Sequence, residues 1–133
     1  MERPIGYWLK HLDRLIEDAM ERAFAEKKLT RRHWQILNVL SRSPQDEAGL
    51  IKALSPFWTA DAITLAEVTT DLTTRGWLTG HYALTEAGET AHASVAGKVH
   101  DIRTTFLTDL TPDDYHRTIH TLRHMAKNLE PTA

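Results

Sequence analysis

The sequence predicts a mainly α-helical fold interrupted by a single small β-hairpin. Three observations lead there. Apolar residues recur at helical intervals through nearly all of the 133 residues. Helix start signals, namely Thr30, Ser43-Pro44, Thr85 and Thr111-Pro112, divide those intervals into separate runs. One short stretch, Trp77 to Leu84, breaks the helical period around Gly80-His81.

Taken in order, Ile5, Trp8, Leu9, Leu12, Leu15, Ile16, Ala19, Ala23 and Phe24 describe one long amphipathic helix, about residues 4–27. Its opposite face carries Lys10, Asp13, Arg14, Glu17, Glu21 and Arg22. Thr30 is a suitable N-cap, because its hydroxyl can accept from a free amide of the first turn. Leu29 and Trp34 flank it at the spacing of a hydrophobic staple, and Leu37 and Leu40 continue the stripe. Ser43 as cap and Pro44 as first residue predict the next helix, with Ala48, Leu50, Ile51 and Leu54 on its apolar side. A further helix is expected from about Ala60 to Arg75, stopped by Gly76, a residue at ease in the left-handed conformation. The hairpin, with Gly80-His81 as a two-residue turn, follows. Thr85 then caps a long helix through Ala91, Val95, Ile102 and Phe106. Thr111-Pro112-Asp113-Asp114 opens the last one, its acids suited to the positive end of a helix dipole.

Composition narrows the function. The apolar fraction is 41% and the charged fraction 26%, which suits a globular domain with a core. Without a membrane-length apolar run or a secretory leader at the first residues, the chain is expected in the cytoplasm and off the membrane. The absence of cysteine excludes disulfides, Cys-based zinc sites and thiol switches. No nucleophile elbow, phosphate loop or metalloprotease motif is present, so no enzyme activity and no cofactor are expected.

Three short motifs then fall in a telling order. They are Leu29-Thr30 followed by Trp34 and Leu37, then Leu72-Thr73-Thr74-Arg75-Gly76-Trp77-Leu78, then Leu84-Thr85-Glu86-Ala87-Gly88. On these the chain resembles the MarR family of transcriptional regulators over about residues 5–129. The resemblance implies one winged helix-turn-helix domain spanning 1–133. The winged module would occupy about 30–88, and dimerisation helices about 4–27 and 86–130. It further implies a homodimer on a double-stranded, two-fold symmetric DNA operator. In that family the usual role is repression, relieved when a small molecule binds.

The residues carry their own qualifications. Only eight steps separate Gly76 from Leu84, about half a usual wing of the family, and the Asp-x-Arg motif is missing. Between Asp46 and Tyr82, two positive charges meet five negative ones, a local net of −3 on the face expected to meet phosphates. Candidate DNA contacts are Thr59, Thr64, Arg75 and His81, the last being the one group at the wing tip that can become cationic. Arg75 either reaches a phosphate or pairs with Asp71 one turn back. Lys27, Lys28, Arg31, Arg32 and Arg42 form a basic junction that either faces phosphates or is simply solvated.

Tyr7, Trp8, His11 and Trp34 are candidates for the wall of a pocket for a small apolar aromatic effector. Packing in a dimer interface is the competing reading of Tyr7 and Trp8, and core packing that of Trp34. His116, His120 and His124 repeat along the last helix, a spacing that permits metal chelation but more simply makes a polar outer face. A winged helix that no longer reads DNA, and binds a small molecule or a protein partner, is the alternative to a regulator.

Overall fold

A computed structural model describes residues 2–54 and 64–131. The chain divides after His100 into two compact units. The first holds helices α1 (Ile5–Phe24), α2 (Arg31–Leu40), α3 (Glu47–Leu54) and α4 (Leu65–Thr74), a short bridged loop, and most of α5 (Glu86–Phe106). The second holds the end of α5 and α6 (Pro112–Leu129). No described helix is long and apolar enough to cross a membrane.

Helix α1 runs into a 3-10 turn, Ala25–Lys27, and stops at Lys28, which takes a left-handed φ of 57°. Amides of Lys28 and Leu29 bond back to the carbonyls of Ala25 and Phe24 at 3.0 and 3.2 Å, the pairing of a Schellman stop. Thr30 then caps α2 as expected. The reciprocal partner is His33, whose side chain takes the place usually held by Glu or Gln.

Two helix starts differ from the sequence expectation. Helix α3 begins at Glu47 rather than at Pro44. The carboxylate of Asp46 accepts the amide of Gly49 at 2.7 Å, so an acid takes the capping role assigned to Ser43. Helix α4 begins at Leu65 rather than near Ala60, because Thr64 is extended and its hydroxyl accepts the amide of Glu67. The far end of α4 is as read: Gly76 has φ 81°, and Trp77 bonds back to Leu72 at 3.0 Å.

The core lies between α2, α3, α4 and the bridged loop, where Ile36, Leu37, Leu40, Leu50, Leu54, Val68, Leu72 and Leu78 are buried. Each such side chain contributes about 1.5–3 kcal/mol by leaving water. Phe24, Ala91 and Val95 are buried as well, which ties α1 and α5 into the same unit.

The expected hairpin contracts to one antiparallel bridge, Leu78 with Leu84. Thr79 donates its amide to Ala83 at 2.8 Å, and Tyr82 donates back to Thr79 at 3.2 Å. Gly80, His81 and Tyr82 thus form a three-residue loop, not the two-residue turn read from Gly80-His81. Tyr82 absorbs the extra residue by taking a left-handed φ of 54°. The Thr79 hydroxyl accepts the amides of His81 and Ala83, both at 3.2 Å, and stabilises the tight loop.

The junction with α5 explains the Leu84-Thr85-x-x-Gly88 motif. Thr85 caps α5 by accepting the Gly88 amide at 3.0 Å and donates its hydroxyl to the Gly76 carbonyl at 2.6 Å. A Cβ on Gly88 would fall onto the carbonyl oxygen of Trp77, so only glycine allows this approach.

Candidate nucleic-acid interface

Helix α4 and the loop behind it form the candidate interface. Val68, Thr69 and Leu72 turn inward, while Ala66, Glu67, Thr70, Thr73 and Thr74 remain exposed. The Thr69 hydroxyl donates to the carbonyls of Leu65 and Ala66, and that of Thr73 to the Thr69 carbonyl at 2.8 Å. The hydroxyls of Thr70 and Thr74 have no partner among the described residues. Beside them, α4 and the loop enclose an open groove of about 250 Å³.

The inner edge of α4 is fastened by a polar cluster. Thr30 donates its amide to Nδ1 of His33 at 3.0 Å, which makes Nδ1 an acceptor and leaves the proton on Nε2. Nε2 then donates to Oδ2 of Asp71 at 2.8 Å. The same oxygen accepts from Nε of Arg75 at 2.9 Å. The rest of the guanidinium donates to the carbonyls of Lys27 and Lys28, at 3.0 and 3.2 Å, and lies 5.3 Å from the Trp77 ring. His33 is buried, and that burial holds its pKa below the usual imidazole value, with Asp71 opposing only in part. Burial raises the pKa of Asp71, but its bonds from Arg75 and His33 outweigh this and leave it lowered.

Residues 29–88 match the family model of a winged helix DNA-binding domain. Solved structures extend the likeness to nearly the whole chain. A MarR family protein of Mycobacterium tuberculosis in complex with DNA has a TM-score of 0.76 at 22% identity, covering 91% of this chain and 98% of that one. The chain has the MarR fold. A MarR family regulator from Silicibacter pomeroyi gives a TM-score of 0.74 at 19% identity, with 93% of each chain covered. The Mycobacterium tuberculosis protein in complex with salicylic acid gives 0.71 at 21% identity, covering 93% and 99%. No characterised protein matches by sequence comparison alone.

On this MarR fold the candidate contact residues hold different places. Thr64 is the N-cap of α4, its hydroxyl engaged with both the amide and the carboxylate of Glu67 at 3.1 Å. Arg75 pairs with Asp71, one of the two roles open to it from sequence. His81 is exposed at the loop tip. Thr59 lies outside the described residues. In the basic junction, Arg31 bonds to Asp13 and Glu17 of α1 at 2.8 and 3.1 Å, so it ties α2 to α1.

The candidate effector residues fall into two groups. Tyr7, Trp8 and His11 cluster on α1 with ring centroids 5.0–6.2 Å apart. Tyr7 and His11, with Lys10 and Arg14, line an open cavity of about 220 Å³. Trp34 stands apart from that group: its ring stacks on His92 at 5.4 Å, with the planes 8° from parallel. In the second unit His116, His120 and His124 are all exposed along α6. Among the described residues no group of three or more His, Asp or Glu is placed to hold a metal.

Sequence reasoning did not single out His33, Thr70 or Thr74. His33 had one available signal, since it sits three residues after the Thr30 cap, where a side chain can reach back. The link to Asp71 spans 38 positions and has no local signature.

Proposed function

We propose that the chain is a dimeric DNA-binding transcriptional regulator, a repressor released by a small molecule. The observation that carries this reading is the winged-helix match over residues 29–88, on a unit that leaves the outer face of α4 uncovered. In this reading the module of about residues 30–88 meets a double-stranded, two-fold symmetric operator, with Thr59, Thr64, Arg75 and His81 near the DNA. The helices of about 4–27 and 86–130 pair two copies.

Exposed apolar side chains support pairing. Helix α1 leaves Ile5, Trp8, Leu9, Leu12 and Leu15 about half exposed, more apolar surface than one solvated helix usually shows. Helix α6 also leaves Ile119, Met125 and Leu129 exposed. The effector would be a small planar aromatic molecule, received by Tyr7, Trp8 and His11, with Trp34 as a further candidate. A structure of the Mycobacterium tuberculosis relative with salicylic acid supports that class.

Capture of genomic DNA fragments by the purified protein, at low and moderate salt, tests the reading. Enrichment of a two-fold symmetric site, weakening steeply with salt, is expected. A folded dimer that enriches nothing at either salt overturns it.

One observation favours a second reading, a winged helix that has left DNA for a basic protein partner or a small molecule. Helix α4 carries no Lys or Arg, and the guanidinium that follows it is bonded to Asp71 and two carbonyls. The same capture experiment separates the two.

A further inference from the structure

The outer face of α4 has an unusual donor inventory for a surface that meets DNA. Sequence readout in the major groove relies mostly on Arg or Lys bonded to guanine and on Asn or Gln bonded to adenine. Helix α4 has none of these four residue types. Its two acids are both engaged: Asp71 pairs with Arg75, and Glu67 is bonded by Thr64 at the helix start. What faces outward over the second half of the helix is neutral. Thr70 and Thr74 stand one turn apart, their hydroxyls without a partner among the described residues, and each carries a methyl group beside its oxygen. Across the groove lie Thr79, Gly80 and Tyr82, which add no charge.

Among the base edges of the major groove, that of thymine alone combines an apolar methyl with a lone acceptor, O4. A threonine offers the counterpart of both, a methyl for contact and a hydroxyl to donate. We propose that Thr70 and Thr74 read thymine, so that the half-site under α4 is selected through thymine methyl groups and lacks an obligatory guanine contact. This rests on the DNA-binding reading above and adds to it the base class and the residues that discriminate. The paired state of Asp71 matters here, because a free carboxylate at that position would repel the phosphates flanking the same bases.

The test begins with selection of duplexes from a randomised library by the full chain at low salt. The selected site is then resynthesised with each thymine replaced by deoxyuridine, which removes the methyl and leaves O4. Loss of about fourfold in affinity for each contacted methyl is expected. Thr70→Ser and Thr74→Ser, which keep the hydroxyl, should lose about as much on the thymine duplex and nothing further on the deoxyuridine duplex. Unchanged melting temperatures would show that both variants fold. A selected site with guanine under α4, indifferent to deoxyuridine, overturns the thymine inference while leaving the regulator intact. Failure to select any duplex overturns both.

Discussion

Nε2 of His33 donates to Oδ2 of Asp71 across 2.8 Å, so the first turn of α2 is bonded to the middle of α4. The bond works because the other ring nitrogen is occupied. With Nδ1 accepting the Thr30 amide, the neutral ring satisfies one donor and one acceptor at once. A second proton on the ring would oppose the Thr30 amide and break the capping box.

Stability should therefore depend on pH in a definite direction. Burial lowers the pKa of His33 below the ordinary 6.5, and the unfolded chain takes up the proton first. The contribution is whole above about pH 6.5 and is lost as pH falls below it toward the lowered folded value. His92, also lowered by burial, acts in the same sense. Asp71, held below 3.8, adds a loss only at much lower pH. A melting temperature steady from about pH 8 to 7 and falling toward pH 5.5 is expected, with a shallower fall in His33→Gln. An equal fall in that variant would show that His33 carries none of it.

Removing the guanidinium should cost stability before it reveals anything about DNA. Arg75→Ala gives up bonds to Asp71, Lys27 and Lys28, a loss of about 2 kcal/mol. Arg75→Lys should recover little, since one ammonium cannot span three acceptors held by a planar fork. Urea denaturation with an unchanged slope measures both variants. A wild-type midpoint in Arg75→Lys would argue against the fork.

Two glycines of α5 should respond to alanine with opposite signs. Gly88→Ala drives a methyl into the Trp77 carbonyl and should destabilise by about 2 kcal/mol. Gly97→Ala meets open space within the helix and should stabilise by about 0.5–1 kcal/mol. Thermal melting of the pair checks both, and two losses of similar size would mean that α5 does not dock as described.

Lys28 holds a left-handed backbone with an exposed side chain, a conformation that is unfavourable by roughly 1 kcal/mol for a residue with a Cβ. Lys28→Gly should raise the melting temperature by a few degrees, because the carbonyl bonded to Arg75 stays in place. A fall would show that backbone freedom in the unfolded chain outweighs the relief.

Local chemistry made much of this fold legible. Thr30, Thr85 and Thr111 cap the helices they precede, and Gly76 stops α4, because each acts through neighbours within one turn. What escaped depends on distant partners or on competition between adjacent signals. Asp46 displaced Ser43 as the cap of α3, since both types suit the role and spacing does not choose between them. Tyr82 in a left-handed conformation enlarged the loop, where sequence favours glycine or asparagine. At the candidate interface, the charge count of the segment treated Asp71 as a free acid. Pairing with Arg75, one turn on, was one of the two roles open from sequence, but the partner His33 became visible only once α2 and α4 were side by side.

The guanidinium of Arg75 also fixes the axial register of α4. One of its three bonds stays with α4, to Asp71, while the other two, 3.0 and 3.2 Å long, run to the Lys27 and Lys28 carbonyls of the α1–α2 turn. A slide of α4 by one residue, about 1.5 Å along its axis, would break both bonds to that turn. Reading bases demands positioning finer than that step, because a hydrogen bond tolerates only a few tenths of an ångström. The α1–α2 turn thus serves as a fixed origin from which the distance to Thr70 and Thr74 is set, and any molecule that unwinds that turn would shift both threonines at once.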